Sequence, residues 1–148
     1  MSELAMNQIN LVARDFDATI TFYRRLGLDV TERSAPDLDV WHAEVTFSDG
    51  LVLEFDNRTL AARYNSAWRS SDGGNRALFN YSLPTRESVD ATYAELSAAG
   101  YRSAQVPYDA FWGARYAIVS DPDGNDVGLM SPIDEGRRMW PPVDSPIA

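Results

Sequence analysis

Apolar and polar residues follow each other along this chain in a pattern that occurs twice. Alternation over residues 7–14 predicts a strand with one apolar face. Apolar residues at helical spacing follow it, and they predict a helix that Asp15 can cap and Gly27 can end. Three short strands are then predicted at 29–34, 40–47 and 51–56. The first half is therefore strand–helix–strand–strand–strand.

The second half of the chain repeats this order. A strand is predicted at 77–83, followed by a helix that Thr85 can cap and Gly100 can end. Further strands are predicted at 102–106, 114–120 and 126–131. We therefore predict an α+β fold of two tandem βαβββ modules in a single domain over 1–148. The module boundaries are about 7–56 and 76–131, with a linker at 57–75 and an irregular tail at 132–148.

Composition limits the possible functions. Hydrophobic residues make up 45% of the 148 residues, which is typical of a globular protein. The net charge of −9 disfavours a nucleic-acid partner, and no apolar run is long enough to span a membrane. The absence of both cysteine and an apolar signal segment near the start favours a cytoplasmic location.

The turn Ser48-Asp49-Gly50 suits a three-residue hairpin loop, and this loop sets the register of two strands. In that register Glu44 lies opposite Glu54, and the single histidine, His42, lies opposite Asp56. Such a carboxylate pair can act as general acid and base, or it can bind a cation. The alternative is a pair of ordinary rim carboxylates. The other polar positions predicted on this face include Gln8 and Asn10.

The equivalent face of the second half is predicted to be mostly uncharged. It carries Leu78 and Asn80 on one strand, Tyr116 and Ile118 on another, and Gly128 and Met130 on the last. Tyr108, Phe111 and Trp112 are predicted near its edge. Apolar and aromatic walls with a few polar groups are typical of sites for planar organic molecules. The alternative is that these aromatic residues belong to the core or to a dimer contact.

The doubled βαβββ pattern and the final hairpin Asp121-Pro122-Asp123-Gly124-Asn125 resemble the vicinal oxygen chelate superfamily, which includes glyoxalase I, extradiol dioxygenases and bleomycin-resistance proteins. The first helix, with its Phe22-Tyr23 pair, is also similar. The resemblance covers about residues 7–131. It implies a cleft between curved mixed sheets, and it implies a homodimer.

The resemblance also identifies four places where metal-dependent members hold ligands. Gln8 and Glu54 occupy two of them, whereas Leu78 and Gly128 occupy the others and have no donor atom. We therefore expect no metal cofactor, and we expect Gly128 to leave room where a glutamate would stand. Trp112-Gly113 resembles the Trp-Gly pair that borders the drug cleft of bleomycin-resistance proteins.

These features predict a metal-independent protein that binds a small aromatic or cationic molecule, as antibiotic-resistance proteins of the bleomycin type do. Its predicted ligand-binding residues are Gln8, Asn10, His42, Asn80, Tyr108, Phe111, Trp112, Tyr116, Ile118 and Met130. One alternative is a glyoxalase-like lyase or a dioxygenase, in which Gln8 and Glu54 hold a divalent ion such as Zn, Ni, Mn or Fe. Another is a metal-free enzyme with Glu44 and Glu54 as catalytic residues.

Overall fold

The computed structural model describes Met6 and residues 8–64 and 77–139. Contacts divide the chain into two compact units, Met1–Asp72 and Gly73–Ala148. Each unit contains a four-stranded mixed sheet of the same topology. This confirms the α+β fold and the duplicated pattern.

The described residues of the first unit form four strands and two α-helices. In chain order these are β1 (Gln8–Ala13), α1 (Phe16–Leu26), β2 (Thr31–Glu32), β3 (His42–Thr46), β4 (Val52–Asn57) and α2 (Arg58–Tyr64). The strand order in the sheet is β1-β4-β3-β2. Strands β1 and β4 run parallel, while the other neighbouring pairs are antiparallel.

The second unit repeats this arrangement with one helix before its last three strands. Its elements are β5 (Leu78–Ser82), α3 (Arg86–Ala98), β6 (Ser103–Asp109), β7 (Arg115–Ser120) and β8 (Asp126–Met130). The strand order is β5-β8-β7-β6, with β5 and β8 parallel. The first and second sheets are therefore equivalent strand by strand.

The predicted helix ends are confirmed by their hydrogen bonds. The Asp15 carboxylate accepts from the backbone N–H of Ala18, and Gly27 ends α1 with a φ of 113°. Thr85 caps α3 through a reciprocal pair of bonds with Ser88. These caps satisfy backbone groups that the first and last turns leave free.

The apolar faces of both sheets form the core, as the alternation predicts. In the first unit the rings of Tyr23 on α1 and Phe55 on β4 lie 4.8 Å apart, and both residues are fully buried. In the second unit α3 buries Val89 and Leu96 completely. The opposite face of each sheet is therefore the one available for function.

Three elements differ in extent from the prediction. Strand β2 is only two residues long, whereas β6 continues to Asp109 and so includes Tyr108. The start of the predicted linker has regular secondary structure, because β4 extends to Asn57 and α2 follows it directly. Trp68, further along the predicted linker, lies outside the described residues.

The tail contacts the loop between β6 and β7 through backbone hydrogen bonds. The N–H of Asp134 donates to the Gly113 carbonyl, and the N–H of Met139 donates to the Phe111 carbonyl. A Cβ atom at Gly113 would lie 2.4 Å from the backbone oxygen of Asp134, and Gly113 has a φ of 96°. Glycine is therefore required there by both the backbone angle and the close approach of the tail.

No helix within residues 8–64 and 77–139 is long and apolar enough to cross a membrane. The cytoplasmic location and the absence of a nucleic-acid partner stay predictions.

Candidate functional site

The two sheets place equivalent residues in equivalent registers. In the first sheet Glu54 pairs with Asn10 on one side and Glu44 on the other. In the second sheet the central position of β8 is Gly128, between Asn80 and Ile118. The same alignment places His42 where the second unit has Tyr116. One fold thus carries an acidic face in one unit and an aromatic face in the other.

The predicted cross-strand pairs of the first unit are confirmed, with His42 opposite Asp56 and Glu44 opposite Glu54. His42 Nε2 lies 3.7 Å from an oxygen of Glu44 and 3.7 Å from an oxygen of Glu54. We call this group of His42, Glu44 and Glu54 the imidazole–carboxylate cluster. Its three side chains are all partly buried.

Asp56 anchors this face, although the sequence prediction did not include it among the site residues. Its side chain is 1% exposed, and it accepts hydrogen bonds from three groups. These are His42 Nδ1 at 2.6 Å, Asn10 Nδ2 at 2.8 Å and the Tyr64 hydroxyl at 2.9 Å. A buried carboxylate needs such donors to offset its loss of hydration.

Tyr64 is a second residue that sequence reasoning did not assign to the site. It ends α2, and its hydroxyl bonds to Asp56 on the polar face of the sheet. Burial, followed by the hydrogen bond to Asp56, raises the pKa of Tyr64 to about 12. The hydroxyl therefore stays protonated at neutral pH and can donate to the carboxylate. The available signal was a tyrosine in the predicted linker, eight residues after Asp56.

Each glutamate of the imidazole–carboxylate cluster also has a donor of its own. Arg33 Nε lies 2.6 Å from Glu44 Oε1. Glu54 Oε2 accepts from Gln8 Nε2 at 2.5 Å and from Asn10 Nδ2 at 3.0 Å. The structure thus brings together the predicted residues of the first unit, and these donors moderate the repulsion between the two carboxylates.

In the second unit, the space expected to be open at Gly128 is occupied by the side chains of Asn80 and Tyr116. The Tyr116 hydroxyl donates to Asn80 Oδ1 at 2.6 Å, and this bond passes over Gly128. A Cβ atom at Gly128 would lie 1.9 Å from Asn80 Oδ1 and 2.7 Å from the Tyr116 hydroxyl oxygen. The expectation that Gly128 leaves room where a glutamate would stand is therefore wrong. A side chain at position 128 would have to displace the ends of the Asn80 and Tyr116 side chains, which meet above this backbone.

Burial, and to a smaller degree the nearby Tyr108 and Asp126, raises the pKa of Tyr116 to about 12. Tyr116 is 4% exposed, so its hydroxyl has little access to water. The hydroxyl stays protonated at neutral pH and is the donor in the bond to Asn80. Tyr116 and Asn80 therefore form a hydrogen-bonded polar pair on a face that also carries Ser82, Ser120 and Asp126.

Aromatic rings extend this face along β6, β7 and the loop between them. Trp112 makes edge-to-face contacts with Phe111, at a centroid distance of 5.1 Å, and with Tyr116, at 4.9 Å. Tyr108 approaches Tyr116 at 6.2 Å, and Trp112 Nε1 lies 3.2 Å from the sulfur of Met130. The predicted aromatic residues are thus brought into one cluster, which we call the aromatic wall.

Part of the second face is open to solvent. Leu78 is 44% exposed and Asn80 is also exposed, while Ile118, Trp112 and Met130 are partly buried. The exposed Leu78 on β5 and the half-buried Trp112 next to Met130 each give a ligand apolar surface to cover. The face combines that surface with the Asn80 amide as its polar group.

The duplicated βαβββ topology and the paired strand registers agree with the family comparison. Residues 5–129 match the model of the Glyoxalase/Bleomycin resistance protein/Dioxygenase superfamily, so the chain belongs to that superfamily. None of the curated proteins matches it significantly.

Solved structures of the superfamily share the fold. A glyoxalase/bleomycin resistance protein/dioxygenase from Nocardioides has 22% identity and a TM-score of 0.68, over 90% of this chain and 87% of that one. A glyoxalase-related enzyme from Fulvimarina pelagi has 17% identity and a TM-score of 0.72, over 88% and 89%. A mutant of the fosfomycin resistance protein FosX from Listeria monocytogenes, complexed with Mn(II), has 15% identity and a TM-score of 0.65, over 95% and 98%.

The four ligand places that the resemblance implies do not fit a metal ion in this chain. Leu78 and Gly128 have no donor atom, and a longer side chain at 128 would collide with Asn80. Gln8 and Glu54 alone give two side-chain donors, fewer than the three or four protein ligands that Zn²⁺ usually has. His42 and Glu44, the further donors that lie near Glu54, are on β3 and outside these four places.

Proposed function

We propose that this protein binds a small aromatic or cationic organic molecule on the second unit, and that this binding requires no metal ion. The observation that carries the proposal is the Tyr116–Asn80 hydrogen bond over Gly128. It replaces a metal ligand with a neutral polar group beside the aromatic wall. Metal-independent binding of the bleomycin-resistance type is the function that such a surface supports best.

The chemistry of the second face suggests how the ligand is held. An aromatic ring can cover the exposed edge of Trp112 and Ile118, and aromatic contacts of this kind contribute roughly 0.5–1.5 kcal/mol beyond buried area. The exposed Asn80 amide can orient a polar substituent. The net charge of −9 favours a cationic ligand over an anionic one.

Trp112 is expected to contribute strongly to ligand affinity. Because it lies partly exposed at the centre of the aromatic wall, Trp112→Ala should weaken binding of metal-free bleomycin by about 10–100-fold. Calorimetric titration of the purified chain measures this. Trp41→Ala is the matched control, since Trp41 is also half-buried but belongs to the first unit. The affinity of this variant for metal-free bleomycin should be unchanged.

Leu78→Lys gives an independent test that leaves the packing intact. Leu78 is exposed at the start of β5, so a lysine there should repel a cationic ligand without disturbing the core. Ala94→Lys adds the same charge on the exposed side of α3 and serves as its control. Equal binding by these two variants would contradict the assignment of this face.

The resemblance also supports a homodimer, which we include in the proposal. Light scattering coupled to gel filtration should give a mass twice that of the chain. A monomeric mass at micromolar concentration would contradict this part of the proposal and leave the ligand-binding part unaffected.

A further inference from the structure

The imidazole–carboxylate cluster brings three possible metal-ligating atoms close together. His42 Nε2, one oxygen of Glu44 and one oxygen of Glu54 all lie within 4.8 Å of one another. All three residues belong to β3 and β4, so neighbouring strands of a single sheet fix their positions. The cluster therefore does not depend on any loop.

Each of these three side chains uses its other polar atom in a bond to a second residue. His42 Nδ1 bonds to Asp56, Glu44 Oε1 pairs with Arg33, and Glu54 Oε2 accepts from Gln8 and Asn10. The atoms left over are the three that face one another. Metal ligands in proteins commonly show this arrangement, with an outer residue that orients each ligand.

The Asp56 carboxylate determines which ring nitrogen of a neutral His42 carries the proton. It lies 2.6 Å from Nδ1, so a neutral His42 carries its proton on Nδ1 and leaves the Nε2 lone pair available to a metal ion. At 3.7 Å the Nε2–oxygen distances are too long for good hydrogen bonds. They are close to the ligand–ligand spacing of about 3.4 Å that tetrahedral bonds of about 2.1 Å give.

We propose that His42, Glu44 and Glu54 bind a divalent first-row transition ion in the first unit. One imidazole with two carboxylates suits Zn²⁺, Fe²⁺, Ni²⁺ or Mn²⁺, and the imidazole disfavours Mg²⁺ and Ca²⁺. The site uses only one of the four family places, Glu54. Three protein ligands leave coordination positions open for water or for an oxygen of a bound molecule. Asp56 is a positioning residue of this site.

The single histidine allows a direct test on the unmodified protein. Because His42 is the only histidine, imidazole ¹⁵N NMR shows one pair of ring signals. Addition of Zn²⁺ to metal-depleted protein should saturate at one ion per chain, shift the Nε2 signal strongly and leave Nδ1 protonated. Saturation with no change at Nε2, coordination through Nδ1, or no saturable binding would overturn the proposal.

Variants then distinguish binding of the ion at these three residues from nonspecific attraction of a cation to an acidic protein. Calorimetry with Zn²⁺ should show a loss of more than about 100-fold in affinity for His42→Ala, and about 10–100-fold for Asp56→Asn. Glu95→Gln, on the exposed surface of α3, removes one negative charge and should leave the affinity unchanged. Stoichiometric binding that survives His42→Ala would contradict the site, and circular dichroism confirms that each variant is folded. Neither result bears on binding of the organic ligand by the second unit.

Discussion

Replacing Asp56 with alanine is expected to lower the free energy of unfolding of the first unit by about 2–4 kcal/mol. Bonds to an ionised acceptor contribute more than neutral ones, and loss of a buried charged partner leaves its donors without an acceptor. Asp56 accepts three such bonds, from His42, Asn10 and Tyr64. Urea unfolding followed by circular dichroism measures the change.

Two further variants identify the source of that effect. Tyr64→Phe removes one of the three donors and should cost about 1 kcal/mol. Asp29→Ala removes an exposed carboxylate of the same unit and should change stability by less than about 0.5 kcal/mol. An Asp56→Ala variant as stable as Asp29→Ala would show that the buried network does not stabilise this unit.

Restoring the glutamate of the family at position 128 is expected to destabilise the second unit by about 2–4 kcal/mol. Gly128→Glu must displace the Asn80 side chain, since even a Cβ atom would lie 1.9 Å from Asn80 Oδ1. The cost combines overpacking with loss of the bond from the nearly buried Tyr116 hydroxyl. Chemical unfolding of the variant measures it.

A double-mutant cycle separates the collision with Asn80 from other effects of a side chain at position 128. Gly128→Ala should cost about 1–3 kcal/mol in the natural chain but clearly less in an Asn80→Ala background, where the colliding atom is missing. Equal costs in the two backgrounds would show that Gly128 is not required by Asn80.

Much of the first sheet could be predicted from local sequence. The turn Ser48-Asp49-Gly50 sets the β3–β4 register, so the pairs Glu44–Glu54 and His42–Asp56 follow from strand alternation alone. The helix caps at Asp15 and Thr85 are equally local, because each depends on a side chain within three residues of its partner. Short-range geometry determines these features.

Features that depend on distant contacts were not predictable in the same way. Alternation places Asp56 on the polar face, but its burial depends on side chains from β1, β3 and α2. The role of Gly128 depends on a bond between Asn80 and Tyr116, which are 36 residues apart. Register shifts in β6 also placed Tyr108 in a strand, opposite Tyr116. Irregular pairing of this kind has no simple periodic signature.

The most direct test of the proposed function is calorimetric titration of metal-depleted protein with metal-free bleomycin in the presence of a chelator. We expect saturable binding under these conditions, weakened by Leu78→Lys and unchanged by Ala94→Lys. Binding that appears only when a divalent ion is restored, or that Leu78→Lys and Trp112→Ala both leave intact, would contradict the proposal that the aromatic wall of the second unit holds an organic ligand without metal.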